Sequence, residues 1–218
     1  MEPGFWHDKW HSQQIGFHQS EINPLLIKYW SRVGLTEGSK VFVPLCGKSL
    51  DMLYLAEQGH QILGSELNSL AVEQFFSENG MDAATETVAE HRQYVCGPFS
   101  LLQGDFFTFP AQLSQACEGF YDRAALIAWP EQMRHDYAKQ LAALLAPGAR
   151  GLLITLDYPQ EALVGPPFAV SPAWVNEYLS PFFDIEPLEC LDVLADNPRF
   201  VKKQVPWLNE AAYLLVRK

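Results

Sequence analysis

Glu66 follows Cys46 by twenty residues, with Gly47-Lys48-Ser49, the run Leu50 to Gly59 and then Gln61-Ile62-Leu63-Gly64-Ser65 between them. A carboxylate at that distance from the first turn of a nucleotide-binding βαβ unit accepts both hydroxyls of a ribose. What the turn itself can hold is narrower. Gly47-Lys48-Ser49 imitates the end of a phosphate-binding loop, but Phe42 stands where that loop needs glycine, and the backbone nest around a triphosphate requires that freedom. A dinucleotide fingerprint fails as well, because only Gly47 lies in the turn and a pyrophosphate could not approach it closely. The stretch favours a ligand with a ribose and no phosphate, of which S-adenosylmethionine (SAM) is the common one. The plain alternative is an ordinary βαβ turn with Glu66 as a solvated strand end.

Other residue types stand at spacings that suit such a ligand. Phe5, Trp6, Trp10 and Phe17 crowd the N-terminal segment, and Trp6 and Trp10, four apart, share one face of a helix. Such an arm either anchors the terminus with its aromatics or closes over a bound ligand. His7 and His11 have the i, i+4 spacing of helical metal ligands, but Asp8 replaces the glutamate of H-E-x-x-H and no third ligand follows closely, so no metal is expected. Gly104-Asp105-Phe106-Phe107 ends an extended piece, where a small residue, an acid and aromatics suit an adenine, unless Asp105 only starts a turn. Asp122 and Arg123 are adjacent opposite charges within an apolar strand. They point to opposite sheet faces, and an arginine there costs energy unless paired, which marks the pair as candidate site residues.

The elements that must position these residues read as an α/β, doubly wound chain. Val41 to Leu45 is a short apolar run of the kind buried in parallel sheets, Ser49 suits the cap of the helix that follows, and Gly59 its left-handed end. Helices are expected over Glu21 to Val33, with Pro24 in the first turn, over Ser69 to Asn79 between Asn68 and Gly80, over Pro130 to Ala146, and over Ala173 to Leu179. Residues 81 to 91 show little periodicity. His91 to Gln103 reads as two extended pieces around Cys96-Gly97-Pro98, Gly119 to Ile127 as a strand, and Gly151 to Leu156 as a buried central strand. Asp157 to Ala173, with Gly165-Pro166-Pro167-Phe168, is too long and rigid for a spare connection and is read as a substrate loop. Phe182 to Leu191 and Ala211 to Val216 close the chain as a hairpin across Asn197-Pro198-Arg199-Phe200.

Composition bounds the partners. The 218 residues suit one domain, with residues 1–33 as an arm and helix over the ligand. A formal net charge of −11, with no cluster of Lys and Arg against it, disfavours nucleic acid. No run approaches a membrane span, the N-terminus lacks the pattern of a signal peptide, and four scattered cysteines form no C-x-x-C pair. A soluble, cytoplasmic protein with reduced thiols is the expectation, acting on small molecules as a monomer without membrane or nucleic-acid partners.

Taken together, Trp6-His7-Asp8-Lys9-Trp10, Phe17-His18-Gln19, Val43-Pro44-Leu45-Cys46-Gly47-Lys48-Ser49, Leu63-Gly64-Ser65-Glu66, Asp122-Arg123-Ala124-Ala125-Leu126 and Gly165-Pro166-Pro167-Phe168 resemble the thiopurine S-methyltransferase family in its shorter bacterial form. The resemblance spans nearly the whole chain. It implies a Rossmann-like class I SAM-dependent methyltransferase fold, with a mostly parallel sheet, an antiparallel C-terminal hairpin and an N-terminal helical arm. It also implies methyl transfer from SAM to an aromatic or heterocyclic thiol, a thiopurine in the family's name, with bacterial relatives linked to selenium and tellurium species and their detoxification. By position, Trp10 and Phe17 would close over SAM, Leu45 would contact it, Glu66 would hold the ribose, Gly104 and Asp105 would lie at the adenine, and Arg123 would touch the cofactor's carboxylate end or the acceptor. Asp122 or a histidine would take a proton if one must be removed. A non-catalytic SAM-binding module and a small-molecule kinase, suggested by Gly47-Lys48-Ser49, are the rival classes.

Overall fold

The computed structural model describes residues 3–218; Met1 and Glu2, the start of the expected arm, lie outside the described residues. In chain order the elements are α1 (Pro3–His11), α2 (Pro24–Val33), β1 (Lys40–Val43), α3 (Asp51–Glu57), β2 (Gln61–Glu66), α4 (Ser69–Glu78), β3 (Ala84–Val88), β4 (His91–Cys96) and β5 (Phe99–Gln103). There follow α5 (Ala111–Ser114), β6 (Gly119–Arg123), α6 (Glu131–Leu144), β7 (Arg150–Asp157), α7 (Pro172–Leu179), β8 (Phe183–Asp192), α8 (Pro198–Lys202) and β9 (Asn209–Arg217). One sheet holds all the strands in the order β3-β4-β5-β2-β1-β6-β7-β9-β8. The inner strands β5, β2, β1, β6 and β7 pair in parallel, and antiparallel pairs flank them on both sides. The topology is that of a doubly wound α/β fold closed by an antiparallel hairpin.

Strand alternation sorts the core into two layers. Val41, Val43, Ile62, Tyr121 and Ile154 pack toward α2, α3 and α4, while Phe42, Leu63, Phe120 and Leu153 pack toward α6 and α7. Both faces of the inner strands are therefore buried, which is why their sequences are continuous apolar runs. Local signals place the helices. Asn23 Oδ1 accepts from Leu25 N and Leu26 N at the start of α2, Pro24 occupies its first turn, and Gly34 ends it in the left-handed region.

Several boundaries depart from expectation for identifiable reasons. The expected strand through Ile127 stops at Arg123: Ala124 turns to φ 62°, Leu126–Ala128 coil into a 3-10 turn, and Asp122 Oδ1 accepts from Leu126 N. That side-chain bond offers the backbone an alternative to the ladder. Residues 81 to 91 contain β3, an edge strand whose residues are almost all exposed and so carry no apolar alternation to read. Ser49 stands one residue before the position flanking α3, which is Leu50; its Oγ accepts instead from Asp51 N at 3.3 Å and from Arg123 Nη2 at 3.0 Å. The hairpin of β8 and β9 forms, but its link is not a tight turn. It carries α8, and Phe200, Val205 and Leu208 pack with Tyr158 and Leu163 in a small separate cluster.

Candidate active site

At the carboxyl ends of the parallel strands lies a cavity of about 560 Å³, the position where doubly wound sheets hold their ligands. Trp10, Phe17, Leu45, Glu66, Gly104, Asp105 and Arg123 all line it. Asp122 does not.

Glu66 ends β2 and is 7% exposed. Its Oε2 accepts from Gly47 N at 2.9 Å and its Oε1 from Asn68 N at 2.8 Å. Burial pushes the carboxyl above its ordinary value, while the backbone N–H groups of Asn68, Gly47 and Leu67 pull the other way. Each oxygen still has a lone pair after one such bond. A buried carboxylate on the cavity wall, with no cation beside it and one acceptor site left on each oxygen, fits the two hydroxyls of a ribose. The same bond to Gly47 fixes the turn after β1, so this carboxylate and the turn are built as one unit.

That turn is narrow and strained in one place. Leu45 adopts φ 47°, a left-handed conformation costing about 1–2 kcal/mol for a side-chain residue, and its N–H reaches Ser65 Oγ at 3.3 Å. Ala124, at the end of the neighbouring strand β6, is left-handed too, and both residues line the cavity. Gly47 is left-handed as well, and a Cβ there would meet the Trp10 ring at 3.3 Å. Trp10, only 2% exposed, therefore seats its indole directly on the turn. Phe17 packs edge-on against Trp6 and Trp10, at ring distances of 5.7 and 5.6 Å. His7 and His11 do not converge on a common point. His7 Nδ1 meets Asn68 Nδ2, and His11 Nδ1 donates to the carbonyl of His7. Among the described residues no group of three acidic, histidine or cysteine side chains could hold a metal ion.

Gly104 and Asp105 follow β5. Gly104 N donates to the carbonyl of Glu66 at 2.9 Å, and a Cβ on Gly104 would come within 2.3 Å of the His91 ring, so only glycine fits. Asp105 Oδ1 accepts from Phe107 N at 2.9 Å and caps the 3-10 turn Phe106–Thr108. Its other oxygen has no protein partner among the described residues. Asp105 thus does start a turn, and it does so on the cavity wall.

The adjacent charges of β6 part company. Asp122, 1% exposed, faces α6: Oδ2 accepts from Tyr137 Oη at 2.7 Å and Oδ1 from Leu126 N at 3.0 Å. Burial raises its carboxyl to about 6 against those hydrogen bonds. Its acceptor sites are engaged away from the cavity, which removes the geometric basis for the expected proton acceptor. Arg123 faces α3. It donates through Nε to Asp51 Oδ2 at 2.5 Å and through Nη2 to Ser49 Oγ at 3.0 Å, and Nη1 makes no hydrogen bond among the described residues. Tyr121 Oη also donates to Asp51 Oδ2, and Asn23 N to its Oδ1, so the arginine is held by a carboxylate that is itself fully bonded.

The cavity is also lined by residues to which sequence reasoning gave no role. Arg199, on α8, donates to the carbonyl of Pro166 at 3.0 Å, and Pro166 and Pro167, from the expected substrate loop, line the same wall. Both peptide bonds preceding these prolines are cis, Tyr158 Oη donates to the carbonyl of Pro167 and Phe168 N to that of Ile127. His18, Lys48, Trp129, Met133 and Glu210 complete the set that matters chemically. Lys48 is paired with Glu78 at 2.7 Å, and burial raises the Glu210 carboxyl, which accepts from Asn23 Nδ2 at 3.2 Å. For Arg199 the sole sequence signal was an arginine beside a proline in a polar link, which reads as turn chemistry.

Comparison with known proteins gives the family and the fold. The thiopurine S-methyltransferases of Shewanella baltica (strain OS223) and Shewanella oneidensis are 68% and 64% identical to this chain over 218 residues, covering all of each chain. Two solved structures share the fold at low identity. The Burkholderia thailandensis 1,6-didemethyltoxoflavin-N1-methyltransferase, solved with bound 1,6-didemethyltoxoflavin and S-adenosylhomocysteine, has a TM-score of 0.65 at 14% identity, over 99% of this chain and 86% of that one. The YcgJ protein of Bacillus has a TM-score of 0.64 at 12% identity, over 88% of this chain and 97% of that one. The fold is that of the class I SAM-dependent methyltransferases. A sequence profile of the thiopurine S-methyltransferase family matches residues 1–218, and the chain belongs to that family.

Proposed function

We propose that this chain, a SAM-dependent S-methyltransferase by family, methylates the sulfur of aromatic or heterocyclic thiols, thiopurines among them, in the cavity that Glu66, Arg123 and Arg199 line together. The observation that carries the reading is that single cavity: a buried carboxylate suited to a ribose, aromatic side chains and two arginines line one space. When bound, SAM supplies a methyl group on a sulfonium, already activated for in-line displacement.

The chain's own residues then have defined tasks. Glu66 grips the ribose diol. Trp10 and Phe17, from the arm, shut water away from one side, so that charges inside interact through a less polar medium. Gly104 and Asp105 border the adenine, with the free oxygen of Asp105 placed to accept from an amino group. Arg123, anchored by Asp51, and Arg199, anchored by Pro166, are the guanidinium groups on the cavity that could donate hydrogen bonds to a thiolate. The apolar wall of Ile127, Trp129 and Met133 suits a flat ring. Holding the sulfur in line with the methyl group is a positioning task, and positioning alone can lower a barrier by several of the roughly 7–11 kcal/mol available in favourable cases.

Selenolates and tellurolates present the same soft anionic nucleophile and would use the same cavity. We take the protein to act as one domain, a cytoplasmic monomer on small molecules; among the described residues no helix is long and apolar enough to cross a membrane. The test is transfer of labelled methyl from SAM to thiophenol, to a thiopurine, and to selenium and tellurium oxyanions after reduction. Methyl transfer to the thiols is expected. SAM binding without transfer to any of them would favour the non-catalytic binding module, and a magnesium-dependent thermal shift with ATP but not with SAM would favour the kinase.

A further inference from the structure

We infer that His18 is the proton acceptor for the incoming thiol: it receives the S–H proton of acceptors that reach the cavity un-ionised. The inference deepens the functional reading above and rests on it. Of the six histidines in the chain, His18 alone lines the cavity. The others are elsewhere engaged or distant: His7 is bonded to Asn68, His11 to its own helix, His91 to the carbonyl of Asp105, His135 packs on Trp174 and Tyr178, and His60 on Trp30. The His18 ring makes no hydrogen bond within the described residues, although its backbone N–H is tied to Ile15 O at 2.8 Å. It stands in the aromatic segment Phe17-His18-Gln19, half-buried on the cavity wall.

The surroundings of the imidazole keep it ready to accept. Burial and the nearby Lys48 and Arg123 hold it below its ordinary value, against Glu78 and Asp51, which pull it upward. Each of those acids is already paired, Glu78 with Lys48 and Asp51 with Arg123. At neutral pH the ring is therefore uncharged and carries a free lone pair. Several carboxylates line the cavity too, and most have other partners: Glu66 holds two backbone N–H groups and its free acceptor sites fit the ribose, Glu210 accepts from Asn23 Nδ2, and Asp105 caps a turn with one oxygen and is assigned to the adenine with the other; Asp196 stands on the link between β8 and β9, and Asp122 lies outside altogether. In the step, the thiol proton moves to a ring nitrogen of His18 and the sulfur lone pair forms a bond to the methyl carbon. The bond from that carbon to the donor sulfur breaks, its electron pair staying on the donor, and the imidazolium later returns its proton to solvent. Atoms and charge balance without a further reagent.

The test uses two acceptors that differ in acidity, a nitro-substituted thiophenol that is ionised at neutral pH and benzyl mercaptan that is not. For His18→Gln the loss in kcat/KM is expected to grow with thiol pKa: on the order of 100-fold for benzyl mercaptan, the scale of a removed general base, and a few-fold for the nitrothiophenol. Ultraviolet absorbance of the thiolate gives a readout independent of turnover. A thiophenol of intermediate acidity bound in the presence of S-adenosylhomocysteine should ionise at lower pH on the wild type than on His18→Gln, and His18→Asn should repeat the pattern if glutamine disturbs the arm. Equal losses for both acceptors, or an equal loss in S-adenosylhomocysteine affinity by calorimetry, would overturn the inference and make His18 a cofactor contact. Wild-type protein that binds SAM but methylates neither thiol would overturn the functional reading itself.

Discussion

His7 Nδ1 and Asn68 Nδ2 lie 2.9 Å apart, and the direction of that bond is fixed. Asn68 Oδ1 already accepts from Leu70 N at 2.9 Å as the cap of α4, so the amide must present its N–H₂ to the arm, and His7 must offer a lone pair. Asn68 also donates its backbone N–H to Glu66 Oε1. One residue thus ties the arm, the Glu66 carboxylate and the start of α4 together.

Removing the lone pair at position 7 should loosen the arm without harming the fold. His7→Leu is expected to weaken SAM binding by about 5–10-fold, the worth of one hydrogen bond near 1 kcal/mol, and to reduce ligand-dependent protection of the arm in limited proteolysis. His7→Gln, which restores an acceptor, should recover most of both. Calorimetry with the three proteins decides it, and identical affinities would show the bond to be incidental to closure.

Glu66→Gln should separate affinity from stability. An amide would turn one N–H₂ toward the N–H of Gly47 or Asn68, or toward the ribose, so SAM affinity is expected to fall by more than 10-fold, roughly 1.4 kcal/mol or more. The melting temperature without ligand should fall by a few degrees at most, because losing one acceptor for a backbone N–H is offset in part by removing a carboxylate whose burial disfavours its charge. Unchanged SAM affinity would remove the ribose role.

Asp122 gives a pH signature. Its carboxyl stands at about 6 in the folded chain against an ordinary 3.8, so between about pH 4 and 6 the native state keeps a proton that the unfolded state has lost. Stability therefore falls as pH rises through that window, and above it the ionised group costs up to about 3 kcal/mol. Asp122→Asn is expected to flatten the difference between denaturation midpoints at pH 4 and pH 7, while turnover stays within a few-fold. A 100-fold drop in turnover with intact SAM binding would return Asp122 to the chemistry.

Asp51 is the hidden support of Arg123. It is 1% exposed and accepts from Asn23 N, Tyr121 Oη and Arg123 Nε. Asp51→Ala should leave the guanidinium without its counter-charge and cost about 3–5 kcal/mol in chemical denaturation, with a loss of activity well beyond what the stability change explains at low temperature. A cost below about 1 kcal/mol would mean that water or Glu210 replaces the lost partner.

The legible parts of this protein were those with local causes. Pro24 announces α2 because its fixed dihedral suits a first turn, although the expected start at Glu21 moves to Pro24 where Asn23 caps it, and the turn from Leu45 to Ser49 shows in the failure of every phosphate-binding pattern. β3 was not legible, because an exposed edge strand has no buried face to imprint on its residues. The end of β6 was hidden as well: Ala124-Ala125-Leu126-Ile127 is as apolar as a strand, and only the reach of Asp122 back to Leu126 N turns it aside.

Sequence alone determined that a carboxylate would close β2, that aromatics would lead the chain, and that Asp122 and Arg123 would part to opposite faces, since cap, spacing and strand period are set by covalent geometry. Which of those faces meets the cavity was decided by packing. α3 brings Asp51 and Ser49 to Arg123, while α6 covers Asp122 with Tyr137. His18 and Arg199, 181 residues apart, share a wall because the arm and the link between β8 and β9 fold over the same strand ends. No local pattern records such a meeting, because its cause is the placement of whole elements around the sheet.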